Sequence, residues 1–403
     1  MNSPKSGSPD RRLPGTVVVL GLVSFFNDIA SDMIIPLLPV FLTTVLGAGP
    51  AALGLMEGLA ESASSLLKLW SGKLVDKGAS QKRLALAGYI VSNAARPFLA
   101  MAGSWPMALT LRFADRVGKG LRTTPRDSLL SRSVDKNNRG RAFGFHRSMD
   151  HAGAMVGPLV AAGLLAFGLG MRDVFLLSVI PGVAAVLLLA LGAREPEPAA
   201  RPVEPVSEPI IPWRELDRKA RAMIIAGGGL ALATAPDAFF ALWLSQAGVQ
   251  LELIPALWAA GHLVKAVVAM PAGRLSDNHG RFRVAISAWI LRGAVVAVIP
   301  WFEGVGPAAG LFMLYCAAAA GSEGAERALI GDSARPGVSG AAFGMYHMTV
   351  GIMALPGALL FGAVWQVSGP KEAFGLSCAL TILSAGAALM AVNNKRGRGR
   401  GHA

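Results

Sequence analysis

The chain alternates long apolar blocks with short polar or basic loops, instead of showing the amphipathic faces of a soluble protein. Blocks lie near 15–46, 50–71, 83–103, 106–130, 142–168, 173–193, 222–246, 252–272, 283–302, 306–331, 340–367 and 372–392. Each accommodates about 20 helical residues, enough to cross a ~30 Å hydrocarbon core. The pattern predicts an all-α membrane protein with twelve transmembrane helices. The first block is too long for a signal-peptide core and lacks a small-residue cleavage site, so it reads as a retained span.

Charge then orients the chain. Among 403 residues, 53% are hydrophobic and 16% charged, with a net charge of +13. The basic residues form no nucleic-acid face, because they alternate by loop. Arg11 and Arg12 precede span 1; Lys77, Lys82 and Arg83 follow span 2; Arg132, Lys136, Arg139 and Arg141 follow span 4. The same side receives Arg214, Arg218, Lys219 and Arg221, then Arg281 and Arg283, and finally Lys395, Arg396, Arg398 and Arg400. Opposite loops hold little beyond Arg172 and Lys371. The positive-inside rule then places both termini in the cytoplasm, consistent with an even number of crossings in a cell inner (cytoplasmic) membrane. Cys316 and Cys378 fall in different spans, which argues against a disulfide framework or metal cluster.

The organisation expected is a cytoplasmic tail (1–14), a first helical bundle (15–193), a Pro/Glu-rich linker with an amphipathic surface helix (194–221), a second bundle (222–392) and a basic tail (393–403). The two bundles share motifs. Gly72-Lys73-Leu74-Val75-Asp76-Lys77-Gly78 after span 2 returns as Gly273-Arg274-Leu275-Ser276-Asp277-Asn278-His279-Gly280 after span 8. Gly140-Arg141-Ala142-Phe143-Gly144 returns as Gly340-Ala341-Ala342-Phe343-Gly344. Two matches on equivalent loops indicate a duplicated six-helix unit, hence two pseudo-symmetric six-helix bundles.

The densest chemistry lies in span 4, residues 112–127. At about 100° per residue, Arg112, Asp115, Arg116, Lys119, Arg122 and Arg126 share one stripe. Charge at bilayer depth costs from ~2.5 to over 10 kcal/mol unless it meets a wet cavity or a partner. Two readings stay open: an electropositive cavity for an anion or the head of an amphiphile, or an ion-pair network that fixes packing with Asp28, Asp32, Glu57 and Glu61. Asp28 and Asp32 are one helical turn apart, as are His146 and Asp150. These six groups, Asp28, Asp32, Glu57, Glu61, His146 and Asp150, are the candidates for proton uptake, against a static salt bridge for each. Arg147, Asp237, His262, Lys265, Arg292, Glu323, Glu326, Arg327, Tyr346 and His347 are further candidates for lining a cavity. Gly153, Gly157 and Pro158 allow close helix approach and a bend. Asp76 and the basic residues near it form either a latch between helices, repeated at Gly273, Asp277, Arg281 and Arg283, or a solvated turn.

These motifs resemble the major facilitator superfamily over nearly the whole chain. Gly72, Asp76, Lys77, Lys82 and Arg83 are similar to its loop motif between spans 2 and 3, with Gly78 directly after Lys77 as a departure. Arg116 to Gly120 resembles the span 4 motif whose arginine is associated with proton transfer, and Asp115 to Asp127 resembles a prokaryotic subgroup. Gly153-x-x-x-Gly157-Pro158 resembles the antiporter motif, with Ala161 and Ala162 where glycines are usual. The resemblance implies a monomeric secondary transporter that uses alternating access, with protons, a small-molecule substrate and membrane lipid as partners and no cofactor. Its expected task is proton-coupled efflux of a small anionic or amphiphilic compound, or else proton symport of an anionic nutrient or metal chelate. The chain shows no H-E-x-x-H, G-x-S-x-G or Walker motif, which argues against a membrane enzyme; a non-transporting sensor is the other reading outside transport.

Overall fold

The computed structural model describes residues 13–135, 138–195, 213, 218–332 and 339–393, and among these all regular structure is helical. The first half contains α1 (Gly15–Asp32) continued by α2 (Leu38–Val40), α3 (Pro50–Asp76), α4 (Gln81–Phe98), α5 (Trp105–Arg132), α6 (Arg139–Ala166), and α7 (Met171–Leu177) continued by α8 (Val179–Gly192). The second half contains α9 (Arg218–Ala233) continued by α10 (Asp237–Gln246), α11 (Leu253–His279), α12 (Arg281–Val298), α13 (Val305–Asp332), α14 (Ser339–Ser368) and α15 (Pro370–Asn393). With each continued pair counted once, these make twelve crossings among the described residues.

The duplication shows in the helix boundaries. Gln81, Trp105 and Arg139 open α4, α5 and α6, and Arg281, Val305 and Ser339 open α12, α13 and α14, each 200 positions later. Both α4 and α12 have 18 residues and tighten into a three-residue 3-10 turn, Leu99–Met101 and Ile299–Trp301. The first span of each half is broken at the same depth, next to Pro36 and next to Pro236. Proline has no amide hydrogen and its ring obstructs the preceding turn, so the blocks at 15–46 and 222–246 are each two helices and not one. The block at 173–193 likewise divides at Ser178.

Among the described residues, ten helical segments are long and apolar enough to cross a bilayer on composition alone. Neither α3 nor α5 is among them, although they have 27 and 28 residues. Their charges lower the average, and a helix with such charges is tolerated at bilayer depth only when they face protein or a wet cavity.

Packing is asymmetric from end to end. One apolar cluster joins both halves and includes Leu37, Leu38 and Phe41 of the first and Phe239, Phe240, Trp243, Trp365 and Phe374 of the second. All of these lie toward the end away from the basic loops. At the basic end the halves have separate cores, one around Leu20, Tyr89, Leu129 and Leu189 and one around Met223, Trp289 and Ala385. A seam between α3 and α14 reinforces the joined end. There a side chain on Gly54 would strike the Ala358 carbonyl, one on Gly362 would come within 2.7 Å of the Pro50 carbonyl, and the Gln366 side chain caps α3 by accepting from the Ala51 amide at 3.0 Å. The space between the halves therefore opens toward the basic loops.

Tails 1–12 and 394–403 and most of the 194–221 segment lie outside the described residues. Three parts of that segment are described: residues 194–195 at the end of α8, Trp213, and Arg218 onward. Trp213 packs on the second-half basic-end core, and from Arg218 onward the chain is already the first turn of α9, so the surface helix expected over 213–221 is, from Arg218, the beginning of a span.

Candidate functional site

The site is built on α5, and the sequence Gly118-Lys119-Gly120 explains how. A β-carbon on Gly118 would lie 2.5 Å from the Gly88 carbonyl, and one on Gly120 would lie 2.8 Å from the Ser64 carbonyl. Only glycine lets α4 and α3 close in on opposite sides of α5. That clamp leaves Lys119 on the face between them.

Close approach also sets the ion pairs. Asp115 is 3% exposed, and its carboxylate meets Arg96 at 2.9 Å, Arg112 at 3.4 Å and Arg116 at 3.9 Å. Arg112 also reaches Glu57 of α3 at 3.2 Å. Arg96 continues the network into α1, donating to the Asn27 carbonyl and side chain and to Asn93 at 2.9 Å. Arg122 donates to Ser92 at 2.7 Å and stacks over the Tyr89 ring at 4.7 Å. This half of the stripe is a buried frame: Arg112, Asp115 and Arg122 tie α5 to α3 and α4, and Arg116 meets Asp115 of its own helix. On these residues the stripe forms the ion-pair network.

Three charges stand outside the frame. Asp32 is buried, Lys119 half-buried and Glu61 exposed, and none has an ion pair or hydrogen bond through its side chain among the described residues. They are nonetheless neighbours, because Lys119 lies in the electrostatic field of Glu61 and Asp32 in that of Lys119. Glu61 sits mid-helix among cations of α5 and Lys68, so its exposure is to the space between the halves and not to lipid. Lys68, seven residues nearer the basic end, also lacks a direct partner.

A second polar group lies between α1, α5 and α6. Ser24 meets His146 Nε2 at 2.8 Å, His146 Nδ1 meets Asp150 at 3.5 Å, and Arg147, whose side chain is 57% exposed, lies 3.7 Å from Asp150. Arg126 donates to Ser24 at 3.2 Å and holds Asp127 at 2.8 Å. Asp28 accepts from Asn27 at 2.9 Å. The antiporter-like glycines serve contact here: a side chain on Gly153 would strike the Phe25 carbonyl, and one on Gly157 would lie 3.2 Å from Asp32 Cβ.

In the second half, Asp237, Trp258, His262, Lys265, Tyr315 and Cys316 line a recess, with Tyr315 donating to Asp237 at 3.4 Å. His262 of the second half lies within electrostatic reach of Asp28 and His151 of the first, so the two halves face one chamber. Glu323 is exposed, Glu326 accepts from Trp289 at 2.6 Å and Tyr346 at 2.7 Å, and Arg292 donates to Thr234 at 2.9 Å. His347 stands edge-on to the Tyr346 ring at 5.4 Å. The side chain of Arg327 lies outside the described residues.

The loop motif is arranged differently from a closed latch. Asp76 is exposed and has no ion pair or hydrogen bond among the described residues, and Lys77 and Arg83 are exposed. The turn is instead held through Lys82, which donates to the Ala190 carbonyl at 2.8 Å, and through Glu195, which accepts from Ser80 and from the Gln81 amide at 2.7 Å. In the second copy Asp277 meets Arg281 at 3.5 Å, Arg283 is exposed, and Gly72 packs on Thr124 where Gly273 meets nothing. Sequence reasoning missed Arg96 and Glu195. The first carried the same signal as α5, a charge at span depth; the second was hidden in a segment whose composition reads as solvated.

A twelve-span helical bundle whose halves enclose charged side chains at mid-depth has the architecture of a secondary transporter. The chain belongs to the Major Facilitator Superfamily, whose family model matches residues 20–321. It is 29% identical over 390 residues to the MFS-type transporter MJ1317 of Methanocaldococcus jannaschii, covering 95% of this chain and 96% of that protein. It is 25% identical over 193 residues to the multidrug resistance protein MdtG of Escherichia coli, covering 46% of this chain and 45% of that protein. Among solved structures, a bacterial homolog of the human lysosomal transporter Spinster, inward-facing and unoccupied, superposes with a TM-score of 0.75 at 15% identity, covering 96% of this chain and 98% of that one.

Proposed function

We propose that the chain is a proton-driven efflux carrier for a small amphiphilic compound, working by alternating access in the cytoplasmic membrane with both termini inside. One observation carries this: Asp32, Glu61 and Lys119 have no ion pair among the described residues, beside a frame in which Arg96, Arg112, Asp115 and Glu57 are paired. Unpaired charges at such depth are costly, so they are retained where a proton or cargo completes them. Asp32 and Glu61 stand beside Lys119 and Lys68, so each acid is open either to a proton or to the polar or cationic head of a cargo, and the two compete. Competition of that kind is antiport. An anionic cargo would instead bind together with the proton, which is symport.

The positive-inside rule makes the basic end cytoplasmic, so the state described is open to the cytoplasm. Asp76, unpartnered in this state, is free to latch in the opposite one. The multidrug relative's name supports export. The test is flux in proteoliposomes with a permanently charged amphiphilic dye such as ethidium. Uptake accelerated by an inside-acid gradient is expected; acceleration of an anionic dye by an outside-acid gradient instead would make the carrier a symporter.

A further inference from the structure

We propose that Asp28 and Asp150 form a second protonation site, separate from Asp32, Glu61 and Lys119, in which two carboxyl groups share one proton between α1 and α6. This deepens the proton-coupled reading and rests on it. The two helices run side by side in one register: Ser24 meets His146, Asp28 meets Gly153 and Asp32 meets Gly157. A β-carbon on Gly153 would lie 3.0 Å from Asp28 Cβ, so no side chain separates the helices there. Asp150 sits one turn before Gly153 on the same face and is thereby placed against Asp28, whose charge it feels. Asp150 Oδ1 is sealed from solvent and has no hydrogen-bond partner. A bare carboxylate oxygen in that position lacks the donor its charge requires; a proton shared with Asp28 supplies it.

Ser24 holds His146 Nε2 at 2.8 Å and accepts from Arg126 at 3.2 Å, which leaves His146 Nδ1 facing Asp150 at 3.5 Å and orients the acid. The remaining groups facing the pair are Arg122 and Arg126 from α5, Arg147 and His151 from α6, Asp32 from α1 and His262 from α11. Of these only Arg147 touches Asp150, and it is more than half in solvent. His262 belongs to the opposite half, and α6 packs along α11, so rocking the halves changes the field at the pair. A proton held there is loaded or released with the conformational change.

Carbodiimide modification tests this without any cargo, because dicyclohexylcarbodiimide reacts with protonated carboxyls in apolar surroundings. The full-length carrier in nanodiscs is labelled across a pH series and the sites are read by mass spectrometry. The expected result is one label per chain on this pair, divided between Asp28 and Asp150, at neutral pH and counted apart from any label on Asp32 or Glu61, falling as pH rises, with arginine-paired Glu57 and Asp115 unlabelled. In Asp28→Asn no second carboxyl is left to share the proton, and labelling of Asp150 falls by about twofold or more. No label on either residue, two labels per chain on this pair, or an Asp150 profile unmoved by Asp28→Asn would overturn the shared proton. The wild-type series needs no variant to fold. It reads proton occupancy alone: a missing label removes the pair while gradient-driven dye flux still stands, and a labelled pair with gradient-independent flux removes the coupling instead.

Discussion

Frame and centre are separable by one pair of substitutions. Asp115→Asn keeps the shape of the side chain and removes its charge. At an effective dielectric of about 20, a guanidinium roughly 4 Å from a carboxylate contributes about 4 kcal/mol of gross attraction, and Asp115 has three such neighbours, Arg96, Arg112 and Arg116. Dehydration of the ions, several kcal/mol each, offsets most of this while the pairing is intact, but it remains once the acid is neutralised. Three buried guanidinium groups are then left with Glu57, which contacts only Arg112. The expected net loss is about 3–5 kcal/mol, the range for breaking a buried ion pair from one side. Lys119→Ala removes a charge that contacts nothing directly, so stability should change by less than about 1 kcal/mol while transport is lost. Equilibrium unfolding of the purified carrier in mixed micelles measures both variants. Asp115→Asn within about 1 kcal/mol of wild type, together with a loss above about 3 kcal/mol for Lys119→Ala, would reverse the assignment of the two groups and refute the reasoning.

Three further outcomes are expected. Gly118→Ala places a methyl group against the Gly88 carbonyl and should cost about 1–3 kcal/mol by overpacking, lowering the thermal midpoint. Gln366→Ala, and more strongly Gly54→Val, weaken the α3–α14 seam, so a cysteine at Leu46→Cys near the closed end should react faster with an impermeant maleimide; an unchanged rate would mean the seam does not hold that end shut. Asp76→Asn should slow dye flux without altering dye binding or the stability of the cytoplasm-open state, whereas wild-type turnover would make the motif a solvated turn.

The spans and their duplication could be read from the chain because both rest on local information. Apolar blocks of adequate length, a motif returning about 200 residues later and basic loops on one side are all visible in one dimension. Helical periodicity also placed Arg112, Asp115, Arg116 and Lys119 on one face. It did not divide them into paired and unpaired groups, because their partners come from other helices: Glu57 lies 55 positions from Arg112 and Arg96 lies 19 from Asp115. Arg96 is a single charge beside Pro97 at span depth, and the rule that singles out α5 applies to it as well. Glu195 was read with its proline-rich surroundings, yet its carboxylate caps α4, a role set by packing at the end of α8 and not by composition.

The failure of α3 and α5 to qualify as spans on hydropathy is itself informative. Ordinary packing between helices in a bilayer is served by small and apolar residues, as the α3–α14 glycines and the Gly88–Gly118 contact show. A static protein would gain nothing by placing Glu57, Glu61, Arg112, Asp115, Arg116 and Lys119 at mid-depth on adjacent helices. The paired members become intelligible as support for the unpaired ones: a free lysine and two free acids keep defined positions in a chamber only if the helices carrying them cannot shift to neutralise them. The three arginines on Asp115, together with the glycines beside Lys119, prevent that relaxation by locking α3, α4 and α5 together. On the reading we propose, this residual charge is held ready for a proton or a cargo head, and the same rigidity would let the first half move as one body when the other end opens.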